Sequence, residues 1–284
     1  MTGRQLPAHI AAALAGNTAD SAGLSWAGRD LSGPDNPLHR FDDDDGTADD
    51  RLAAAVAGLL RPADQPGPGE RAVLSALTTA RVFIPIVARL SREGDAESGL
   101  RTDKEAEMAL VTLTAPDGRK ALPVFSSTRA LESWHSEARP VAAYAARAAL
   151  AATAEGADLL VLDPGAEVTF VVRRPGMWAL ARQMEWLPSY EDPAVAALVE
   201  AACAQQNTIV SVALRPGSGV VTRSADGSIA AGGGPGPELR MDLRLRGGLS
   251  APEVRDTVSS VRAALLELTD FVERVDSLDI KLTR

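Results

Sequence analysis

The sequence has a single cysteine, Cys203, so it cannot close an intramolecular disulfide. A disulfide-stapled secreted scaffold is excluded, and a reducing cytoplasm is the expected home. Aromatic residues make up 4%, too few for a stacking surface that would hold single-stranded nucleic acid. Lys+Arg total 29 against 38 Asp+Glu, a net charge of -9. That balance lacks the basic footprint of a nucleic-acid binder and is repelled by anionic membrane surfaces. No apolar run is long enough to span a bilayer, and the N-terminal apolar stretch is too short for a signal peptide.

Motifs for common chemistry are missing as well. There is no G-x-x-x-x-G-K-[ST] phosphate loop. Gly217-Ser218-Gly219 runs on to Thr222, where a dinucleotide fingerprint needs glycine. With Gly46 in sixth place, an EF-hand loop would start at Phe41 and end at Leu52, and neither supplies a carboxylate. His9, His39 and His135 show no ligand spacing, and a zinc site lacks a second cysteine. Cys203 sits among alanines with no neighbouring cation to activate it. These absences predict no cofactor, no metal and no catalytic residues.

What is present is a globular composition, 45% hydrophobic and 24% charged, with length for two cores. The patterning predicts an α+β fold in two domains, each a small mixed or antiparallel sheet covered by helices. Residues 1–45 read as an irregular arm, with a short helix over 6–14 and with Trp26 and Phe41 docking it. Residues 46–190 form the first domain and 191–284 the second, ordered α-β-β-α-β. In the first domain, Asp49 and Asp50 mark a helix start. VFIPIVA (82–88) reads as a strand, with Pro85 placing it at an edge or a bulge. EMALVTL (107–113) and KALPVF (120–125) flank the turn Pro116-Asp117-Gly118 as a hairpin. Residues 141–156 read as one helix. DLLVL (158–162) and VTFVV (168–172) form a second hairpin.

In the second domain, Asp192-Pro193 is an N-cap with proline at the first helical position. TIVSVAL (208–214) turns Val210, Val212 and Leu214 inward, and LRMDLRLR (239–246) alternates strictly. Gly232–Gly236 reads as a flexible loop between strands. Val254, Val258, Val261, Leu265, Leu268, Val272 and Val275 are spaced 4, 3, 4, 3, 4, 3 along one helix over 251–275. That seam fits a cover over the domain's own sheet or a second protomer, and the sheet's need for a cover favours the former. Val261, Leu265 and Leu268 are then its most buried positions. The closing strand turns Leu278, Ile280 and Leu282 inward.

The segments FIPIVA, DKEAEMALVTLTAPDGRKALPVFSSTRALESW, and ARAALAATAEGADLLVLDP with VTFVVRRPGMWAL together resemble the SseB family, whose name stands for enhanced serine sensitivity. WAGRDL and FDDDDGTADDRLAAAV resemble the arm of its high-GC bacterial members, and 26 Arg against 3 Lys fits such a genome. The resemblance covers roughly residues 21–190. It implies an α+β module with no established catalytic residues.

Two functions follow as expectations. One is a non-catalytic cytoplasmic protein-interaction or adaptor module, a monomer or weak homodimer whose partner is another protein. The alternative is a small-molecule sensor or accessory protein linked to serine or sulfur amino-acid metabolism. The candidate interaction surface comprises Asp103, Lys104, Glu105, Trp134, Arg173, Arg174 and Trp178, charged loop residues beside amphipathic aromatics. The competing role for Trp134 and Trp178 is as core anchors.

Overall fold

Helix α1 (Asp50–Ala57) begins at the paired aspartates: the Asp49 carboxylate accepts a hydrogen bond from Leu52 N at 2.9 Å and caps it. The computed structural model describes residues 41, 43–60, 69–90, 106–223, 229–234 and 236–283. The expected helix over 6–14 and Trp26 lie outside them. By contacts, the chain divides after Asp45, and Gly46–Arg284 forms one compact unit that holds both expected domains.

Within that unit, a 3-10 turn (Gly58–Leu60), α2 (Gly69–Leu77) and β1 (Arg81–Leu90) follow α1. Then come β2 (Ala106–Leu110), β3 (Leu113–Thr114), β4 (Lys120–Val124), α3 (Thr128–Trp134) and β5 (Arg139–Tyr144). The next elements are α4 (Ala145–Ala154), β6 (Leu159–Leu162), β7 (Phe170–Val172) and α5 (Arg174–Ala181). The rest is α6 (Pro193–Ala204), β8 (Ile209–Pro216), β9 (Val221–Arg223), β10 (Ile229–Ala231), β11 (Leu239–Leu245), α7 (Ala251–Glu267), α8 (Thr269–Arg274) and β12 (Leu278–Thr283). The sheets run β2-β1-β5, β3-β4-β6-β7 and β12-β11-β8, beside a β9–β10 hairpin. The class is α+β.

Three expectations in the first half need correction. The strand expected over 107–113 is two strands in two sheets: β2 pairs with β1, and Leu113 pairs with Ala121 of β4. The helix expected from residue 141 starts at Ala145, because Arg139–Tyr144 pairs along β1 from Ile86 to Arg81. Ladder pairing overrides the helical propensity of the alanines there. β1 is central rather than an edge. Phe83 exchanges both backbone hydrogen bonds with Phe125, at 2.8 and 2.9 Å, and two residues on the Pro85 carbonyl accepts from Val111 N. The missing N–H of Pro85 therefore falls where one neighbour of β1 gives way to the next.

β4 and β6 are parallel, Ala121 opposite Leu159, and the crossover between them contains α3, β5 and α4. Ala145, Ala148, Ala149 and Ala152 of α4 are fully buried, and a face this small lets the helix lie close to the first core. β6 and β7 form the expected hairpin.

A second core gathers Val195, Val199 and Cys203 of α6, Leu239, Met241 and Leu243 of β11, and Val261 and Leu265 of α7. Asp192 caps α6 and Ser250 caps α7 in a capping box with Glu253. The seam does cover the domain's own sheet, but it is not continuous. Leu268 is extended (ψ 110°), ends α7 and opens α8. The break leaves Leu268 36% exposed and brings Phe271, which is off the seam, into the core at 2%. Val210 is 53% exposed, against expectation. Ser211 lies opposite Arg244 and Ile209 opposite Leu245, so Val210 is the extra residue of a bulge that flips the parity of the strand. Leu282 also faces out, at 46%.

Within the glycine segment expected to loop free, Gly232, Gly233 and Gly234 are buried. Gly233 has φ +69°, its carbonyl accepts from Val171 N at 2.8 Å, and a Cβ there would lie 2.3 Å from Phe170 Cδ2. That close approach requires glycine.

Candidate functional site

Glu70 shares a helix face with Val73, Leu74 and Leu77, and it is 2% exposed. A charge on an apolar face needs a partner. Arg173, at the end of β7, supplies it: Nη1 donates to Glu70 Oε1 at 2.9 Å. Its Nη2 donates to the carbonyls of Gly219, at 2.8 Å, and Gly234, at 2.6 Å. Glu70 Oε1 also accepts from Gly233 N at 2.8 Å, and Oε2 accepts from Tyr190 Oη at 3.4 Å. Burial, then the Glu70 carboxylate, pushes the Tyr190 hydroxyl far above its ordinary range.

Arg174 Nη2 donates to the carbonyls of Val272, at 2.7 Å, and Val275, at 3.1 Å, at the C-terminal end of α8. Arg119 pairs with Asp276 at 2.8 Å. Burial pushes the Cys203 thiol up as well, which disfavours the thiolate.

Glu238 is fully buried, and it accepts from Asp276 N at 2.9 Å and Ser189 N at 3.4 Å. Burial raises its pKa. The folded chain therefore keeps a proton that the unfolded chain loses above pH 4.5, the ordinary value. The resulting stability is present below that pH and lost as pH rises through the folded value. Glu238→Gln, which stays neutral, is expected to flatten this decline. Thermal midpoints of parent and variant should converge in acid and separate towards neutral pH, with the variant higher. Parallel curves would place the decline elsewhere.

Of the expected interaction surface, the four described residues, Trp134, Arg173, Arg174 and Trp178, do not share one face. Asp103, Lys104 and Glu105 lie outside the described residues. Arg173 and Arg174 are 5% and 9% exposed and hold backbone carbonyls, so they are internal clamps. Trp178 is half-buried beneath the Arg174 guanidinium, 5.3 Å from its ring. Trp134 is half-buried in a separate small cluster, its ring 5.2 Å from that of Phe125.

Accessible concavities lie elsewhere. Met184, 54% exposed, and Trp186 stand between two grooves. One, of about 350 Å³, runs between α2 and α5 past Leu74 and Thr78, with Arg71 paired to Glu185 at 2.6 Å. The other, of about 170 Å³, is lined by Trp178, Arg182 and Glu273. A third concavity, of about 610 Å³, contains Trp134 and Asp163. Burial raises the Asp163 carboxyl above its ordinary range, against the hydrogen bond from Ser126 N. Among the described residues, no group of three or more His, Cys, Asp or Glu is placed to hold a metal ion. Nor is any helix among them long and apolar enough to cross a membrane.

Comparison with known families matches residues 56–179 to the SseB protein N-terminal domain. Residues 56–179 are similar to the SseB N-terminal domain. No curated protein and no solved structure matches the chain. The SseB-like segment contains Glu70, Trp134, Asp163, Arg173 and Trp178, whereas Met184, Trp186 and the carbonyls that hold Arg173 lie beyond it. Sequence reasoning missed the Glu70–Arg173 pair and the Met184–Trp186 segment. The pair had a readable sign, since Glu70 falls in the i, i+3, i+4, i+7 stripe of α2. The exposure of Met184 had none, because it depends on how the segment after α5 leaves the core.

Proposed function

We propose that this chain is a non-catalytic cytoplasmic module that acts by binding another protein. The observation that supports it is exposed Met184 close to half-buried Trp186, both lining two grooves. Methionine adapts its shape to a partner, and tryptophan combines large apolar area with a donor N–H. Such residues anchor protein interfaces. The rims carry both signs of charge, Arg71, Arg182, Glu185 and Glu273, which suits orienting a partner. The net charge of -9 argues for a protein partner over nucleic acid or an anionic membrane.

A photo-cross-linking residue at position 184 of the full chain, expressed in its native cell, tests this. The expected outcome is a discrete cross-linked species that the same residue at Glu200, on the exposed face of α6, does not give. No species at 184, or the same species at both positions, would count against the proposal.

A further inference from the structure

The pocket holding Trp134 and Asp163 opens beyond the carboxyl ends of the parallel strands β4 and β6. In α/β sheets such a crevice is where ligands bind. Asp163 follows β6 directly and is held from several sides. Its backbone N donates to Val124 O at 2.9 Å, its carbonyl accepts from Thr169 Oγ1 at 3.2 Å, and its Oδ1 accepts from Ser126 N at 2.7 Å. Its φ is +49°, a left-handed conformation that few residues other than glycine, asparagine and aspartate adopt. The residue is 8% exposed, yet among the described residues no cation pairs with its carboxylate. A carboxylate buried to this degree and left without a counter-charge is costly.

Beside it stands Trp134, fixed against Phe125. Gly165, at φ +82°, lies next to the indole and brings no side chain over it: a Cβ there would be 3.8 Å from Trp134 Cδ1. The remaining charges of the pocket, Arg129 and Glu167, are opposite in sign and exposed to screening by solvent.

We propose that this pocket binds a guanidinium group, with its plane against Trp134 and its N–H fork on the Asp163 carboxylate. A guanidinium suits the site better than an ammonium. It is planar, weakly hydrated, stacks on aromatic faces and offers paired donors to a carboxylate. The site is separate from the Met184–Trp186 segment and does not depend on the function proposed for it.

The test is a titration of the full chain followed by backbone amide NMR, with free L-arginine in one arm and N-acetyl-arginine amide in the other. Saturable shifts confined to residues 127–134 and 163–167 are expected. Binding of the capped amide marks recognition of an arginine side chain within a polypeptide. Binding of free arginine alone marks a small-molecule ligand. Asp163→Asn should weaken binding roughly tenfold or more, the worth of a charge-assisted hydrogen bond. The asparagine tolerates the left-handed φ and keeps an oxygen for Ser126 N, so the turn survives. N-acetyl-citrulline amide has the same shape without the charge, and it tests the point on the parent protein. Equal affinity for the citrulline and arginine amides, equal affinity in Asp163→Asn, or no saturable shift with either arginine probe would overturn the proposal.

Discussion

Arg173→Met is expected to destabilise the fold by about 3–5 kcal/mol, the cost of removing one partner from a buried ion pair. The side chains of Arg173 and Glu70 are 4% and 1% exposed, so water cannot replace the lost partner. The substitution strands the Glu70 carboxylate and orphans the carbonyls of Gly219 and Gly234. Methionine fills much of the volume, which separates the polar loss from a cavity effect. Arg173→Lys should fall in between. Lysine restores the charge, but a single ammonium on a flexible stem does not reproduce a planar fork that reaches three acceptors. Urea unfolding of the three proteins orders them. A Met variant as stable as the parent would show that the pair contributes nothing net.

Leu265→Ala is expected to cost about 2–5 kcal/mol, while Leu268→Ala stays within about 0.5 kcal/mol. Both leucines lie on the heptad seam, and an unbroken helix would bury both. In the structure Leu265 is fully buried against the second core, and Leu268 is 36% exposed at the break between α7 and α8. The contrast between the two variants therefore reports on the break itself. Comparable losses at the two positions would mean that the helix runs through and that Phe271 is not the residue that completes the core.

The elements legible in the sequence are those whose signals are local. Asp192-Pro193 announces α6 by capping chemistry, and the alternation in residues 239–245 announces β11. Gly118 (φ +86°) and Gly165 (φ +82°) sit in turns that the sequence marks. The misread elements are decided at a distance. Arg139–Tyr144 is extended because β1 offers it a ladder, although alanines follow it. Val210 points outward because a bulge shifts the register by one residue, a change no periodicity encodes. Arg173 and Arg174 read as surface charges because arginine usually is one. Their burial rests on carbonyls 46 to 101 residues further along the chain. The Trp134–Asp163 pocket was half legible: the tryptophan stood out by its chemistry, whereas Asp163 looked like an ordinary turn aspartate until its burial was known.

The threading of Gly233 and Gly234 against Phe170 and Arg173 has a consequence for the order of events on the ribosome. Gly234 follows Arg173 by 61 residues. At roughly 5–20 residues per second, the carbonyl that closes the clamp is synthesised about 3–12 s after the guanidinium it must meet. For that interval the nascent SseB-like domain holds Glu70 and Arg173 with part of their acceptor set still unmade. The domain's buried Glu70–Arg173 pair is thus completed only after the rest of the domain has been synthesised. Translation of residues 174–234 sets a timed window in which a half-finished core is open to capture by a chaperone or by a neighbouring chain.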